Sequence, residues 1–328
     1  MSLHVSNSPP ALGASPRRFR RPPWRSVAIL IPFVVLFVAL SIGSPPFLNT
    51  TNLLNILDQQ SATLIIAAAG TLVLISGGID LSVGATYALA GVISAQVALG
   101  HGVIVAIIVT LLVGIIIGLA NGVISTLFRI NSLIATLAMS FIVSGIGSSI
   151  SGGNLIVLTG QAQFAAIAQT PFLGIRTSIW IAVVLLVVLG LLLARTTNGR
   201  YLYAAGGNAE ASRLAGIRVN WVRIMAFTIS GAAAAIGGVI DTSRVLSAQS
   251  SSGTSLTFTV LAGIVVGGTS ILGGEGAIWR TVVGVLFIAL VGNGFDLLGI
   301  NALYQQIALG VILLVAVGID AWSRVLRR

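Results

Sequence analysis

The amino-acid sequence predicts an all-α polytopic membrane protein with about ten transmembrane helices. Of its 328 residues, 56% are hydrophobic and only 7% are charged, whereas a soluble domain is about a quarter charged. Apolar runs approaching the roughly 20 residues that cross a bilayer recur along the chain. Glycine is abundant, at 39 residues, as suits helices that approach closely in lipid through small residues.

The spans are expected near 26–42, 57–75, 83–99, 103–128, 132–150, 178–194, 224–240, 256–272, 278–297 and 302–319. The first could be read as a cleaved signal peptide, but the spans that follow favour an uncleaved one. Residues 1–25, rich in Pro, Ser and Arg, read as a disordered basic tail, and 322–328 as a second basic tail. The membrane-spanning region between them is 26–321, interrupted by a polar loop at 195–223. Residues 45–55, 151–177 and 247–255 read as outer loops.

The formal charge of +10 comes from arginine alone, for the chain has no lysine. Threading ten spans with the N-terminal arginines inside puts fifteen basic residues inside and only Arg176 and Arg244 outside. That bias predicts two cytoplasmic termini in a plasma-membrane protein. Scattered among apolar spans, the arginines suit anionic lipid headgroups rather than nucleic acid.

Several chemistries are excluded. A phosphate-binding loop of the G-x4-G-K-[ST] type needs the lysine that is missing. Without cysteine there is no disulfide or thiol chemistry. His4 and His101 converge with no acid and nucleophile, so an intramembrane hydrolase has little to work with.

The 195–223 segment carries five arginines and one acid, Glu210. Gly206 and Gly207 break the preceding pattern, and Asn208 is a suitable N-cap for a short helix. Glu210 and Arg213 sit at the ends the helix dipole favours, and Gly216 is a natural stop. Two turns cannot hold themselves in water, so the segment reads as a handle for another protein.

Glycine-rich interruptions at Gly77–Gly84 and Gly267–Gly276 divide apolar runs. They read either as tight turns at the cytoplasmic face or as a working region between half-helices. Asp80 is either functional or the cap of a helix starting at Leu81. Ser82, Asn121, Asn293 and Gln305, with Asn131, Thr136, Ser140, Asp296 and Gln306, supply neutral polar groups of the kind a hydroxyl-bearing substrate needs; helix-to-helix hydrogen bonding is the alternative. Arg176 and Arg244 either dock an acidic periplasmic partner or pair with headgroups or Asp241. A stand-alone proton-coupled carrier using Asp80, Asp241 and Asp296 is the competing function.

The stretches GGIDLSVG (Gly77–Gly84), GRYLYAAGGNAEASRLAGIRVNWVRI (Gly199–Ile224), SAQSSSGT (Ser247–Thr254) and GGTSILGGEGAIWRTVVGVLFIALVGNGFDLLG (Gly267–Gly299) resemble the membrane permease of ribose-type sugar importers, of the ATP-binding-cassette class. The resemblance runs from about Phe47 to Asp320. It implies a ten-span fold of the cobalamin-importer kind, a pair of permease subunits, two cytoplasmic ATPase subunits that bind ATP and magnesium, and a periplasmic sugar-binding protein. This chain would itself hold no cofactor or metal and catalyse nothing. The central helix then resembles a coupling helix, with Glu210, Ala211 and Gly216 in an E-A-A-x3-G-like pattern whose second alanine is Ser212. Thr257-Phe258-Thr259 departs from the Glu-Leu-Asp of similar permeases, and Glu275 stands in place of a basic residue.

Overall fold

The computed structural model describes residues 29–301 and 303–325. The basic tail at 1–25 and the terminal Arg327 and Arg328 lie outside the described residues. The described chain is a helical bundle. Its main helices are α1 (Leu30–Gly43), α2 (Thr50–Ile75), α3 (Val83–His101), α4 (Val103–Thr126), α5 (Ser132–Ser151) and, after a small α6 (Ala162–Gln169), α7 (Thr177–Arg195). There follow α8 (Thr197–Gly207), α9 (Ala209–Leu214), α10 (Val219–Val245), α11 (Gly253–Val266), α12 (Ile278–Leu297) and α13 (Leu303–Val325). Among the described residues, seven of these are long and apolar enough to cross a membrane: α2, α3, α4, α5, α7, α10 and α12. Apolar stretches in α1, α11 and α13 are shorter.

Helix α10 is the hub, packed against α4, α2 and α3. Glycines make that possible. A methyl group at Gly118 of α4 would lie 2.3 Å from the Phe227 carbonyl oxygen, and one at Gly231 of α10 would lie 2.2 Å from that of Gly114. Small residues four apart thus let two backbones touch where lipid offers no hydrophobic drive to association. By contrast, α4, α5 and α7 present Ile108, Phe141 and Val184, each more than half exposed, on faces suited to acyl chains.

Several boundaries differ from those the hydropathy pattern predicts. Helix α2 begins seven residues before Leu57, because the Asn49 side chain accepts the Thr51 N–H at 2.9 Å and caps it. Half of the expected 45–55 loop is therefore helix, its polar residues lining a cleft. Helix α11 stops at Val266 rather than Leu272, since Gly268 turns left-handed (φ 78°) and the chain leaves the helix there. The expected 151–177 loop contains α6 and three two-residue strands: β1 (Ile156–Val157), β2 (Pro171–Phe172) and β3 (Ile175–Arg176). β1 pairs antiparallel with β4 (Ser247–Ala248), and β2 with β3.

This segment is strapped to the end of α10. Ser243 Oγ donates to the Phe164 carbonyl at 2.6 Å and accepts the Ala168 N–H at 3.0 Å. Gln169 Nε2 donates to the carbonyls of Ser243 and Arg244, both at 3.1 Å. The Ser243 bonds pair backbone groups of the segment that its short helix and strands leave open.

Candidate functional site

The segment between α7 and α10 is a pair of helices rather than a loop, and forms a foot at one end of the bundle. Thr196 caps α8, its hydroxyl accepting the Gly199 N–H at 3.1 Å. Leu202 and Ala205 turn inward to the core while Tyr201 faces out. The expectation that Gly206 and Gly207 break the helical pattern is corrected: both lie in the last turn of α8. Gly206 is glycine for want of space, whereas a methyl group on Gly207 would meet nothing within 4 Å. A methyl group on Gly206 would lie 1.8 Å from the Ile75 carbonyl oxygen and 2.6 Å from the Gly274 nitrogen.

Asn208 then starts α9, its Oδ1 accepting the Ala211 N–H at 2.9 Å. Glu210 and Arg213 form an exposed pair at 3.2 Å, of small energetic value in water. At the other end Gly216 is left-handed (φ 82°). Its N–H donates to the Arg213 carbonyl at 2.9 Å, and that of Ile217 to Ser212 at 3.0 Å. This is the double-bonded glycine stop of a Schellman turn. Leu214 is 84% exposed on this short helix, an apolar side chain facing away from the bundle that the sequence reading missed.

The two glycine-rich interruptions meet at the foot. The Gly274 N–H donates to the Ile75 carbonyl at 2.9 Å, so the second break hydrogen-bonds the last residue of α2. Tyr203 of α8 donates its hydroxyl to the Gly276 carbonyl at 2.8 Å, and Arg223 Nε of α10 donates to Ser76 at 3.0 Å. Burial pushes the Tyr203 phenol up from its ordinary value, partly offset by the Arg280 charge. Both α2 and α11 end in the same turn as α9: Gly78 N–H reaches the Val73 carbonyl at 3.0 Å, and Thr269 N–H reaches that of Ile264 at 3.2 Å.

Asp80, Ser82 and Asn121 come together at the first break. Asp80 Oδ1 accepts the Ser82 N–H at 3.0 Å and the Ser82 hydroxyl at 2.7 Å, while Oδ2 accepts the Ser230 hydroxyl at 2.9 Å. Asn121 Nδ2 donates to Ser82 Oγ at 2.7 Å, and its buried Oδ1 has no protein partner among the described residues. Asp80 therefore supports the local turn and ties it to α10. The following helix begins at Val83, not Leu81. Ser132 and Thr136 of α5 accept the N–H groups of Ile79 and Leu81 at 3.1 and 2.9 Å, satisfying backbone that has no helix to bond to. Asn131 caps α5.

Asn293 and Gln305 lie elsewhere, roughly 35 Å from the foot along α2 by helix rise. They line a cleft of about 390 Å³ with Asn52, Gln60, Thr259 and Asp296. Asn52 and Asn293 exchange reciprocal amide bonds at 3.2 and 2.9 Å, and Gln305 Nε2 donates to Asp296 at 2.8 Å. Neutral amides that both donate and accept suit hydroxyl groups. Of the departing tripeptide, Thr259 joins this cleft, whereas Thr257 is buried and accepts the Gly84 N–H of α3 at 3.2 Å.

Arg176 and Arg244 are each engaged by an internal acid at this far end. Arg176 Nη1 lies 2.7 Å from the buried Asp58, which also accepts the Ser178 hydroxyl. Arg244 lies 2.7 Å from Asp241, which also accepts the Tyr87 hydroxyl. The Arg176 side chain is nevertheless 49% exposed. No group of three or more His, Cys, Asp or Glu side chains suited to a metal occurs among the described residues.

Comparison with known proteins matches residues 52–317 to a family described as branched-chain amino acid transport system / permease component. The chain is 37% identical over 296 residues to the ribose import permease protein of Escherichia coli K12, covering 89% of this chain and 92% of that one. It is 40% identical over 294 residues to the corresponding Bacillus subtilis protein, covering 88% and 91%. Identity to the L-arabinose transport system permease of Escherichia coli K12 is 37% over 306 residues, covering 93% of both chains. No solved structure matches.

Proposed function

The chain belongs to this transport-system permease family, and from that premise we propose that it carries a monosaccharide through the bacterial inner membrane as the permease subunit of an ATP-driven importer. The cargo class rests on the ribose and arabinose permeases it resembles, together with the amide-lined cleft that holds Asn293 and Gln305. A ten-span arrangement of the cobalamin-importer kind follows if α1, α11 and α13 also cross. Both termini and the foot then face the cytoplasm, as the arginine bias requires.

The observation that carries the mechanism is the contact of the foot with both glycine breaks. Partner ATPase subunits closing on ATP and magnesium would move α9. That motion passes through Asn208, the extended residue between α8 and α9, to Gly206, and so to the end of α2 and the Gly273–Gly274 turn ahead of α12. A second permease copy or sister chain would complete the path, and a periplasmic sugar-binding protein would deliver cargo over the end bearing Arg176 and Arg244. The Asp80, Asp241 and Asp296 carboxylates of the rival proton carrier sit in three separate hydrogen-bond networks, an arrangement that favours the ATP-driven reading.

Replacing Glu210 and Gly216 tests the assignment. Sugar uptake and co-purification of the ATPase subunit are both expected to fall. Retention of the ATPase with normal uptake overturns the coupling role of α9.

A further inference from the structure

Beside α9 lies a polar pocket of about 560 Å³, lined among others by Arg129, Ser132, Glu210, Arg213, Asn220 and Arg223. Three guanidinium groups thus border one cavity with a single carboxylate, and that carboxylate is already shared with Arg213. Arg223 donates to the Ser76 carbonyl, not to an acid. Among the described residues the Arg129 side chain has neither a hydrogen bond nor an ion pair, and its backbone is left-handed (φ 56°) in the α4–α5 turn. Ser125 Oγ, also at this pocket, is buried without a protein partner.

A protein seated on the Glu210–Arg213 face of α9 would cover this pocket, because both side chains also line it. Covering unneutralised arginines removes them from water, which is strongly unfavourable unless an opposite charge arrives with the cover. We propose that the ATPase subunit docked on α9 inserts a carboxylate side chain into the pocket, between Arg129 and Arg223. The inference rests on the coupling reading and adds a charged socket beside the helix. The lining is predominantly polar, which favours an acidic side chain over a lipid with its acyl chains.

The test uses the full-length chain in nanodiscs and its co-expressed ATP-binding subunit, purified and titrated back at about 50 mM and about 500 mM salt. Arg129→Asn removes the charge with a residue that tolerates the left-handed backbone, Arg129→Lys keeps the charge, and Arg200→Gln on the outer face of α8 is the control. Arg129→Asn is expected to weaken binding about tenfold at low salt, with the difference shrinking at high salt. Arg129→Lys and Arg200→Gln are expected to bind nearly as the unaltered chain. Equal affinity of the unaltered and Arg129→Asn chains at both salts overturns the inference and leaves the coupling role of α9 standing. A defect that appears only when phosphatidylglycerol is in the nanodisc assigns the socket to a lipid headgroup and also overturns it. If the unaltered chain binds no ATPase subunit, both readings fall.

Discussion

Gly206 of α8 and Ile75 of α2 stand so close that no side chain fits between them. A methyl group on Gly206 would lie 1.8 Å from the Ile75 carbonyl oxygen, the same oxygen that accepts the Gly274 N–H. Two helix ends and one loop therefore share a single point, directly ahead of α9, the helix proposed to meet the ATPase subunit.

Gly206→Ala is expected to wedge this point apart. Overpacking at a rigid contact costs about 1–3 kcal/mol. Because α9 itself is untouched, the ATPase subunit should still bind while sugar uptake falls. ATP hydrolysis and uptake measured together in reconstituted vesicles check this, and unchanged coupling would show that the contact transmits nothing.

Asn208→Ala removes the cap from a helix of six residues, at a cost of about 1 kcal/mol. Hydrogen exchange at the amides of Ala211 and Ser212 is expected to accelerate, without change at the core of α10. Exchange followed by mass spectrometry reads the effect directly.

Leu214→Asp alters an exposed side chain and leaves the bundle intact. Thermal stability in detergent is expected to stay within about 0.5 kcal/mol of the parent, while ATPase co-purification is lost. Normal co-purification would place the contact on another face of α9.

Arg176→Ala leaves the buried Asp58 carboxylate with the Ser178 hydroxyl but without its arginine. With Arg176 itself half exposed, the expected loss is roughly 2 kcal/mol. The double change with Asp58→Asn should recover much of it. Melting curves of the three variants separate this internal role from docking: an Arg176→Ala chain of full stability but poor response to the sugar-binding protein would favour docking.

Asn293→Ala and Gln305→Ala should each reduce sugar uptake several-fold while the ATPase remains bound. Sugar titrations in vesicles carrying the complex measure it, and unaltered uptake in both removes the far-end cleft from the pathway.

Much of the foot was legible in the chain. Asn208, Glu210, Arg213 and Gly216 bound α9 where caps and dipole predict, because those rules act over one turn. The extension of α8 through Gly206 and Gly207 was not legible, since glycine usually signals a break and only the approach of Ile75 explains it here. Likewise the polar opening of α2 lowers its hydropathy, so Asn52 and Asn55 read as loop until α12 and α13 are seen beside them. Asp58 was missed for another reason: its partner Arg176 is 118 residues away, beyond any local pattern. The meeting of the two glycine breaks is a tertiary fact that their spacing only hinted at.

Helix α10 starts beside the foot and ends where Ser243 and Gln169 hold the strapped segment, a rod of 27 residues or about 40 Å. Tilting such a rod by about 5° about its foot end sweeps its tip through about 3.5 Å. The strapped segment would travel with it, so a nudge delivered at the foot reappears, enlarged by leverage, as a shift at the far end of the bundle.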